Sequence, residues 1–548
     1  MKLRYITGLL LATAACAMSC TLEEDPKGKL TNGTFFTSQE DLNMSIYSLY
    51  NVVAQHQCSS AGFEAAFQGD DITTNPGSNK QHFAEIDAFH VTDGNMGVER
   101  LWNGSYSAIK AANNIIDNAG KAQASEEEKN IAIGQAKFWR AYFYFYLVRN
   151  FGDIPMPLTV GTDYNRSKAT VEEVYNQIEL DLQDCIATLP TSYERFGAPR
   201  FANGVNAFIT KQAAQAMLVP VYMARGGWPL KQTEYYGKAA TLAKELIDKS
   251  ESHEYEFILE NDYKDVYAYA SNNYTNETML GFDFHLIGNW APNDSEFSSC
   301  DGFQSLGDYA GWGDDFGAIK FWKEFPDGPR KDAVYSKQIL VPGAMLGGVT
   351  GQDDKLFNWY DDFFKTMEYQ PQICNKSYSV TSADQCWVTG AYVDYDYTLP
   401  PYLGMVSDAR NRLIRYAEML LWYAESQARA DGSPNAFARQ CLNRVRNRAG
   451  LGDWSGADSE FADACVQEHG WEVACYWMAV VTRRDDMMRM ELLEKHFNER
   501  KANVPIEVAP GVKIAEKVLI PESVTWQGEK SIYMPYPALD RNLNPNLQ

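Results

Sequence analysis

Four pairs of adjacent acidic residues are the first candidates for chemistry in this chain of 548 residues. The pairs are Asp70-Asp71, Asp314-Asp315, Asp353-Asp354 and Asp361-Asp362. A glycosidase holds two carboxyl groups across one sugar ring, and two neighbours in sequence rarely reach that arrangement. We therefore interpret the pairs as solvated loop carboxylates, one of which could hold a structural calcium ion.

The histidines and the short sequence motifs do not indicate a catalytic or metal site. The seven histidines stand at positions 56, 82, 90, 253, 285, 469 and 496, without the spacing of metal ligands. The sequence has no HExxH motif, Walker A loop, GxSxG turn or EF-hand loop. We predict structural histidines, no resident cofactor, no bound metal apart from that calcium ion, and no enzymatic activity.

The cysteines also lack a pattern typical of zinc or redox sites. Eight remain beyond the first twenty residues, and none forms a C-x-x-C pair. Cys374 with Cys386, and Cys465 with Cys475, are close enough in sequence to form disulfides in an oxidising compartment. Buried free thiols are the alternative, and the sequence leaves both open.

The charge balance argues against nucleic acid as a partner. The chain has 49 Lys and Arg residues against 72 Asp and Glu residues, a formal net charge of −23 at pH 7. Such a chain has no surplus of cations to neutralise phosphates. Its 32 Tyr and 13 Trp residues provide enough rings for a core and leave some for a binding surface.

Residues 1–19 have the pattern of a secretory signal peptide. Two cationic residues precede an apolar run at 6–15, which is too short to span a bilayer. The AMSC segment that ends this region resembles a bacterial lipobox, which implies a lipid on Cys20 and a membrane anchor. An ordinary signal peptide with incidental cysteines is the alternative.

Hydrophobic periodicity and capping residues predict a mostly α-helical chain. Helices are expected from Thr170 onward and at 38–55, 125–150, 208–225, 234–249, 411–430, 434–449 and 472–481. Helices that recur in pairs are typical of an α-solenoid such as the tetratricopeptide repeats. In the helix at 125–150, Trp139, Tyr142 and Tyr146 share an apolar face, which we assign to the core.

Residues 256–404 differ in composition from the helical scaffold at about 38–255 and 405–500. Gly, Pro, Asn, Asp and aromatic residues dominate there, and long amphipathic runs are few. This composition predicts a loop-rich, mixed insertion, the kind of region in which binding groups are usually displayed.

Several sequence blocks occur together in one order along the chain. They are LWNGSYSAI at 101–109, AKFWRAYFY at 136–144, VRNFGDIP at 148–155, LIRYAEMLL at 413–421, LNRVRNRAG at 442–450 and NPNLQ at 544–548. Through these blocks the chain resembles the SusD/RagB family of Bacteroidetes outer-membrane nutrient-binding lipoproteins.

The resemblance implies a fold, a location and a partner. The fold is an α-solenoid of four tetratricopeptide-like helix pairs within a single domain over residues 20–548. The location is the extracellular face of the outer membrane, with three acidic residues after Cys20 as the matching export signal. The partner is a SusC-like TonB-dependent barrel, and the ligand is a glycan. A peptide ligand, as for RagB-like proteins, is the alternative, and a surface glycosidase is a remote one.

The resemblance also places the ligand on loops, which here span about 70–97 and 286–362. Aromatic residues flanked by Gly, Asn or Asp in those loops are expected on exposed turns, where they can stack on sugar rings. Asparagines in the same loops can bind hydroxyl groups. The predicted ligand-binding residues are Trp290, Trp312, Trp359, Tyr360, Asn75 and Asn79.

Overall fold

The structure is a computed structural model that describes most of the chain. The described residues are 35–57, 63–77, 80–161, 163, 165–267, 272–285, 315–335, 338–341, 355–362, 388–389 and 409–548. Their helices are α1 Gln39–Gln57, α2 Gln81–Asp87, α3 Met96–Asn118, α4 Glu126–Phe151, α5 Val171–Thr188, α6 Lys211–Gly226, α7 Glu234–Glu251, α8 Ile319–Glu324, α9 Pro329–Val334, α10 Tyr416–Asp431, α11 Ala436–Arg448, α12 Phe461–Glu472, α13 Arg483–Arg489, α14 Leu493–Ala502, α15 Glu529–Ile532 and α16 Ala538–Leu543.

The strands are short and belong to small antiparallel sheets. They are β1 Ile72–Thr73, β2 Ile154–Pro155, β3 Lys168–Ala169, β4 Phe201–Ala202, β5 Val205–Asn206, β6 Thr278–Phe282, β7 Phe316–Gly317, β8 Gln338–Val341, β9 Lys355–Phe357, β10 Val388–Thr389, β11 Asn411–Arg415, β12 Ile506–Ala509 and β13 Val512–Ile514. The sheets are the three-stranded β10-β8-β9 and the pairs β1-β7, β2-β3, β4-β5, β6-β11 and β12-β13.

The long helices pack in the order in which they occur along the chain. α1 contacts α3, α3 contacts α4, and the contacts continue through α5, α6 and α7. After the insertion, α10 packs on α7 and is covered in turn by α11 and α12. Taken two at a time, α1 with α3, α4 with α5, α6 with α7 and α10 with α11 form four helix pairs. This packing of each helix on its predecessor confirms the predicted mostly helical, tetratricopeptide-like solenoid.

Two helices begin where the sequence predicts because capping side chains close their first turns. The Ser125 hydroxyl accepts a hydrogen bond from the Glu128 amide at 3.2 Å, and α4 begins at the next residue, Glu126. At α5, the Thr170 hydroxyl accepts from the Glu173 amide at 3.3 Å, and the Glu173 carboxylate accepts from the Thr170 amide at 2.8 Å. Without these hydrogen bonds, the amides of Glu128, Glu173 and Thr170 would be unsatisfied at the start of a helix.

Helix α4 lies at the centre of the core. Residues 138–151 are all buried, so the helix is covered on every side and not on one face alone. Trp139 is fully buried, and its ring makes edge-to-face contacts with Tyr50, Tyr142 and Phe282 at 5.4–5.8 Å between centroids. The assignment of this helix to the core is confirmed.

Two predicted helical segments are not helical. Residues 411–415 form β11, whose backbone pairs with β6, for example Asn411 with Phe282 and Arg415 with Thr278. All five are buried, and a short, continuously buried run fits a strand as well as a helix. Residues 473–481 are also buried but irregular: Cys475 has a φ of 59°, which a right-handed helix cannot accommodate.

The disulfide between Cys465 and Cys475 is ruled out, because both are buried free thiols. The Cys475 thiol instead donates a hydrogen bond to the Asp71 carbonyl at 3.3 Å. The other candidate disulfide, between Cys374 and Cys386, lies outside the described residues. None of the helices in the described ranges combines the length and apolar character that a membrane crossing requires.

Candidate functional site

The two loop regions predicted to bind the ligand are joined by a two-stranded ribbon, formed by β1 and β7. Ile72 pairs with Gly317, and Thr73 pairs with Phe316. The ribbon continues at one end, where the Ala318 amide donates a hydrogen bond to the Asp71 carbonyl at 3.0 Å. Because one strand precedes α3 and the other belongs to the insertion, this ribbon brings residues that are distant in sequence to the same face.

Asn75 lies two residues after the end of β1 and forms part of the next turn. Its side-chain oxygen accepts a hydrogen bond from the Gly77 amide at 2.9 Å, which is an Asx-turn. The side chain is half-buried, and its amide group stands at the end of the ribbon. Asn79, Trp290 and Trp312 lie outside the described residues, as does Cys20.

Trp359 and Tyr360 lie in an aromatic cluster, whose buried members are Phe316, Ile319, Trp359 and Val508. The Trp359 ring is only 3% exposed and makes an edge-to-face contact with Trp322 at 5.4 Å. In this position Trp359 supports the loop and does not offer a free face for stacking. Tyr360 packs edge-to-face on Trp359 at 5.3 Å and stays half-buried. Burial raises the pKa of Tyr360, so its hydroxyl remains a hydrogen-bond donor at neutral pH.

The Asp70-Asp71 pair is not a pair of free loop carboxylates, contrary to the expectation from sequence: Asp71 is buried and Asp70 is half-buried. Asp70 accepts two hydrogen bonds from Arg483, at 2.7 and 3.1 Å. Asp71 is buried and accepts a hydrogen bond from the Cys475 amide at 2.7 Å. Burial raises the pKa of Asp71 to about 7. The pair therefore fastens the ribbon to α13, through Arg483, and to the segment between α12 and α13, through Cys475. Across the described ranges, no three His, Cys, Asp or Glu side chains are grouped to hold a metal ion.

A buried ion network fixes the insertion to the helical scaffold. Its centre is Glu472 in α12, which contacts Arg415 at 2.6 Å, Arg330 at 2.9 Å and Arg448. Arg415 and Arg448 also share Glu277, at 3.1 and 2.7 Å. Burial alone would raise the pKa of Glu472, but Arg448 and the other two guanidinium groups hold it well below its ordinary value. Since Arg330 belongs to α9 and Glu277 precedes β6, the network positions both sides of the insertion.

A second group of buried charges continues from this network. His469 lies between Asp486 at 2.5 Å and Glu418 at 3.4 Å. Burial opposes its charge, but Asp486 and Glu418 raise the pKa of His469 to about 9. Arg489 then joins Asp486 to Glu425, at 2.8 and 2.6 Å. This His is structural, as the sequence predicts.

Comparisons with known proteins agree with the fold. Residues 22–223 match the family described as "Starch-binding associating with outer membrane", and residues 255–548 match the SusD family. The chain is 26% identical over 480 residues to SusD-like protein P2 of Formosa agariphila, with 85% of each chain covered.

Two solved structures have the same fold. A SusD homolog from Bacteroides thetaiotaomicron has a TM-score of 0.72 at 18% identity, covering 94% of this chain and 97% of that one. A structure solved with a xylogluco-oligosaccharide has a TM-score of 0.70 at 19% identity, covering 92% of this chain and 98% of that one.

Proposed function

Because the chain belongs to the SusD family, we propose that it is a cell-surface lipoprotein that binds a glycan and delivers it to a SusC-like TonB-dependent outer-membrane transporter. The observation that supports glycan binding most is the neighbour solved with a xylogluco-oligosaccharide, whose fold extends over 92% of this chain. The likeness does not name the glycan, since sugar specificity depends on individual side chains and not on the fold.

The ligand face in this proposal is built on the β1-β7 ribbon. Trp290 and Trp312 stack on sugar rings, and Tyr360 offers a hydroxyl group to the ligand. Asn75 and Asn79 bind hydroxyl groups. The packed Trp359 holds the loop that carries Tyr360. Stacking and hydrogen bonding of this kind bind a sugar without cleaving it, so the protein acts without enzymatic activity.

The anchor and the partner complete the proposal. A lipid on Cys20 tethers the chain to the outer membrane, and the acidic residues that follow direct it to the outer face. The family description of residues 22–223, which mentions association with the outer membrane, supports this location. A SusC-like barrel is the transporter that accepts the captured glycan.

Replacing Cys20 by Ala is expected to move the protein from the membrane fraction to the soluble fraction, because the acyl chains are its only tether in this proposal. The measurement is fractionation of cells labelled with palmitate. The soluble variant should still bind glycan. Equal incorporation of palmitate into the variant contradicts Cys20 as the anchor. Cys16, the other cysteine near the end of the signal peptide, is then tested with a Cys16→Ala variant.

The proposed function is tested by native electrophoresis in gels that contain single polysaccharides, such as xyloglucan, laminarin, starch and pectin. At least one polysaccharide should retard the soluble Cys20→Ala chain, and no reducing ends should be released from it. Retardation by none of them, together with binding to a peptide mixture, favours the peptide alternative. Release of reducing ends by the purified chain favours a glycosidase.

A further inference from the structure

A cavity of about 380 Å³ lies beside the ribbon, on the opposite side of α8 from Trp359. In α8, Ile319 packs in the aromatic cluster, whereas Lys320 and Phe321 line the cavity. The far wall is α14 with the segment that leads into β12. The volume lies within the range of about 300–1,000 Å³ that is typical of small-ligand pockets. Of the ligand-binding residues predicted from the sequence, the three that the structure describes, Asn75, Trp359 and Tyr360, do not line this cavity.

The cavity has a polar group that the surrounding protein does not satisfy. His496 in α14 lines it and is only 8% exposed. No side chain or backbone group in the described structure forms a hydrogen bond with its Nε2. The ring packs against Phe89 at 5.8 Å, and burial lowers the pKa of His496 to about 4. At neutral pH the cavity therefore presents an uncharged imidazole, which can donate or accept a hydrogen bond.

The charged groups around the cavity are already compensated. Asp70 is held by Arg483, the Lys320 ammonium lies 2.6 Å from Glu499, and the Arg500 guanidinium lies 3.3 Å from Glu516. At the exposed end of α8, Lys323 and Glu324 are neighbours of opposite charge. These groups give little net attraction for an ion. Phe321 adds an apolar surface.

We propose that this cavity is a second binding site, which takes one uncharged, hydroxyl-rich ring compound of the size of a monosaccharide. A sugar ring has hydroxyl groups for His496 and Asp70, and an apolar C–H face for Phe321. At about 30 Å³ per water in the liquid, the cavity has room for about a dozen water molecules, which is enough space for one hexose ring. The site goes beyond the glycan face of the proposed function and does not depend on it.

The opening of the cavity can be closed without altering the core. Val504 lines the cavity and is 70% exposed, so it lies at the rim. A Val504→Trp side chain should cover the opening. His496→Phe keeps a flat ring against Phe89 and removes the hydrogen-bonding nitrogens. Leu519→Trp, at a position that is 60% exposed and does not line the cavity, is the matched control.

The experiment is saturation-transfer difference NMR of the soluble Cys20→Ala chain with D-glucose, D-galactose, D-mannose and D-xylose, and with D-glucuronate as the charged counterpart. At least one neutral sugar should bind the parent and the Leu519→Trp variant. Its affinity should fall by at least about tenfold in Val504→Trp and in His496→Phe, since the first covers the opening and the second removes a hydrogen bond.

Three outcomes overturn the cavity site: no neutral sugar binds the parent chain, Val504→Trp binds as the parent does, or glucuronate binds more tightly than every neutral sugar. The polysaccharide gels separate this result from the proposed function. A chain that is retarded by a polysaccharide but fails the NMR test keeps its function and loses the second site. A chain that binds a sugar in the cavity but is retarded by no polysaccharide keeps the second site and loses the proposed function.

Discussion

Glu472→Ala is expected to lower the free energy of unfolding by about 3–5 kcal/mol, because removal of one partner leaves buried charges uncompensated. Three guanidinium groups, those of Arg330, Arg415 and Arg448, converge on this carboxylate inside the core. Glu277 still contacts Arg415 and Arg448 in the variant, and Glu468 still contacts Arg330 at 2.6 Å, but each of the three guanidinium groups loses the carboxylate that it shares with the other two. Urea denaturation at pH 7, monitored by circular dichroism, measures this change in the free energy of unfolding.

Glu522→Ala is the matched control for this loss, because Glu522 is exposed and surface substitutions away from special features usually change stability by less than about 0.5 kcal/mol. The insertion should also become more sensitive to protease in Glu472→Ala, since α9 is attached through Arg330. A loss below about 1 kcal/mol would be inconsistent with a network that holds the insertion in place.

Trp139→Ala should cost about 3–5 kcal/mol, the usual range for a truncated buried aromatic residue. The ring is fully buried between α1, α4 and β6, where Tyr50 and Phe282 lie against it. We expect a lower melting temperature and an unchanged affinity for glycan in the fraction that remains folded. Scanning calorimetry and gel retardation measure the two effects separately.

The half-buried Trp454 provides the control, because its ring lies in the loop between α11 and α12 and leaves less of a cavity when it is removed. Trp454→Ala should therefore lose less stability than Trp139→Ala. If Trp139→Ala keeps the parental stability and loses glycan binding, Trp139 belongs to the ligand site and not to the core.

The helical scaffold was predictable because its signals are local. The capping residues Ser125 and Thr170 mark helix starts to within one residue, and the apolar positions around Trp139 repeat at helical spacing. The failures have long-range causes. Asn411–Arg415 becomes β11 because β6, more than a hundred residues earlier in the chain, provides its hydrogen-bonding partner. No local pattern contains that information.

The candidate site was less predictable for the same reason. The acidic context of Trp359 suggests an exposed turn, but its ring is buried in a cluster that includes Val508, which comes from a distant hairpin. Asp71 looks like a loop carboxylate, but the segment at Cys475 buries it. His496 occupies an ordinary position in a charged helix, and its place in a cavity depends on how α8 packs against α14. In each case the deciding contact joins segments that are far apart in sequence.

The glycan face is tested most directly by calorimetric titration of the soluble chain with an oligosaccharide from the polysaccharide that retards it best. The parent chain and the Trp454→Ala control should bind it equally. Each stacking ring contributes on the order of 1–3 kcal/mol, by analogy with bases on aromatic side chains. The Trp290→Ala, Trp312→Ala double variant should therefore bind at least about tenfold more weakly, with an unchanged circular dichroism spectrum. A double variant with the parental affinity contradicts the placement of the glycan on this face.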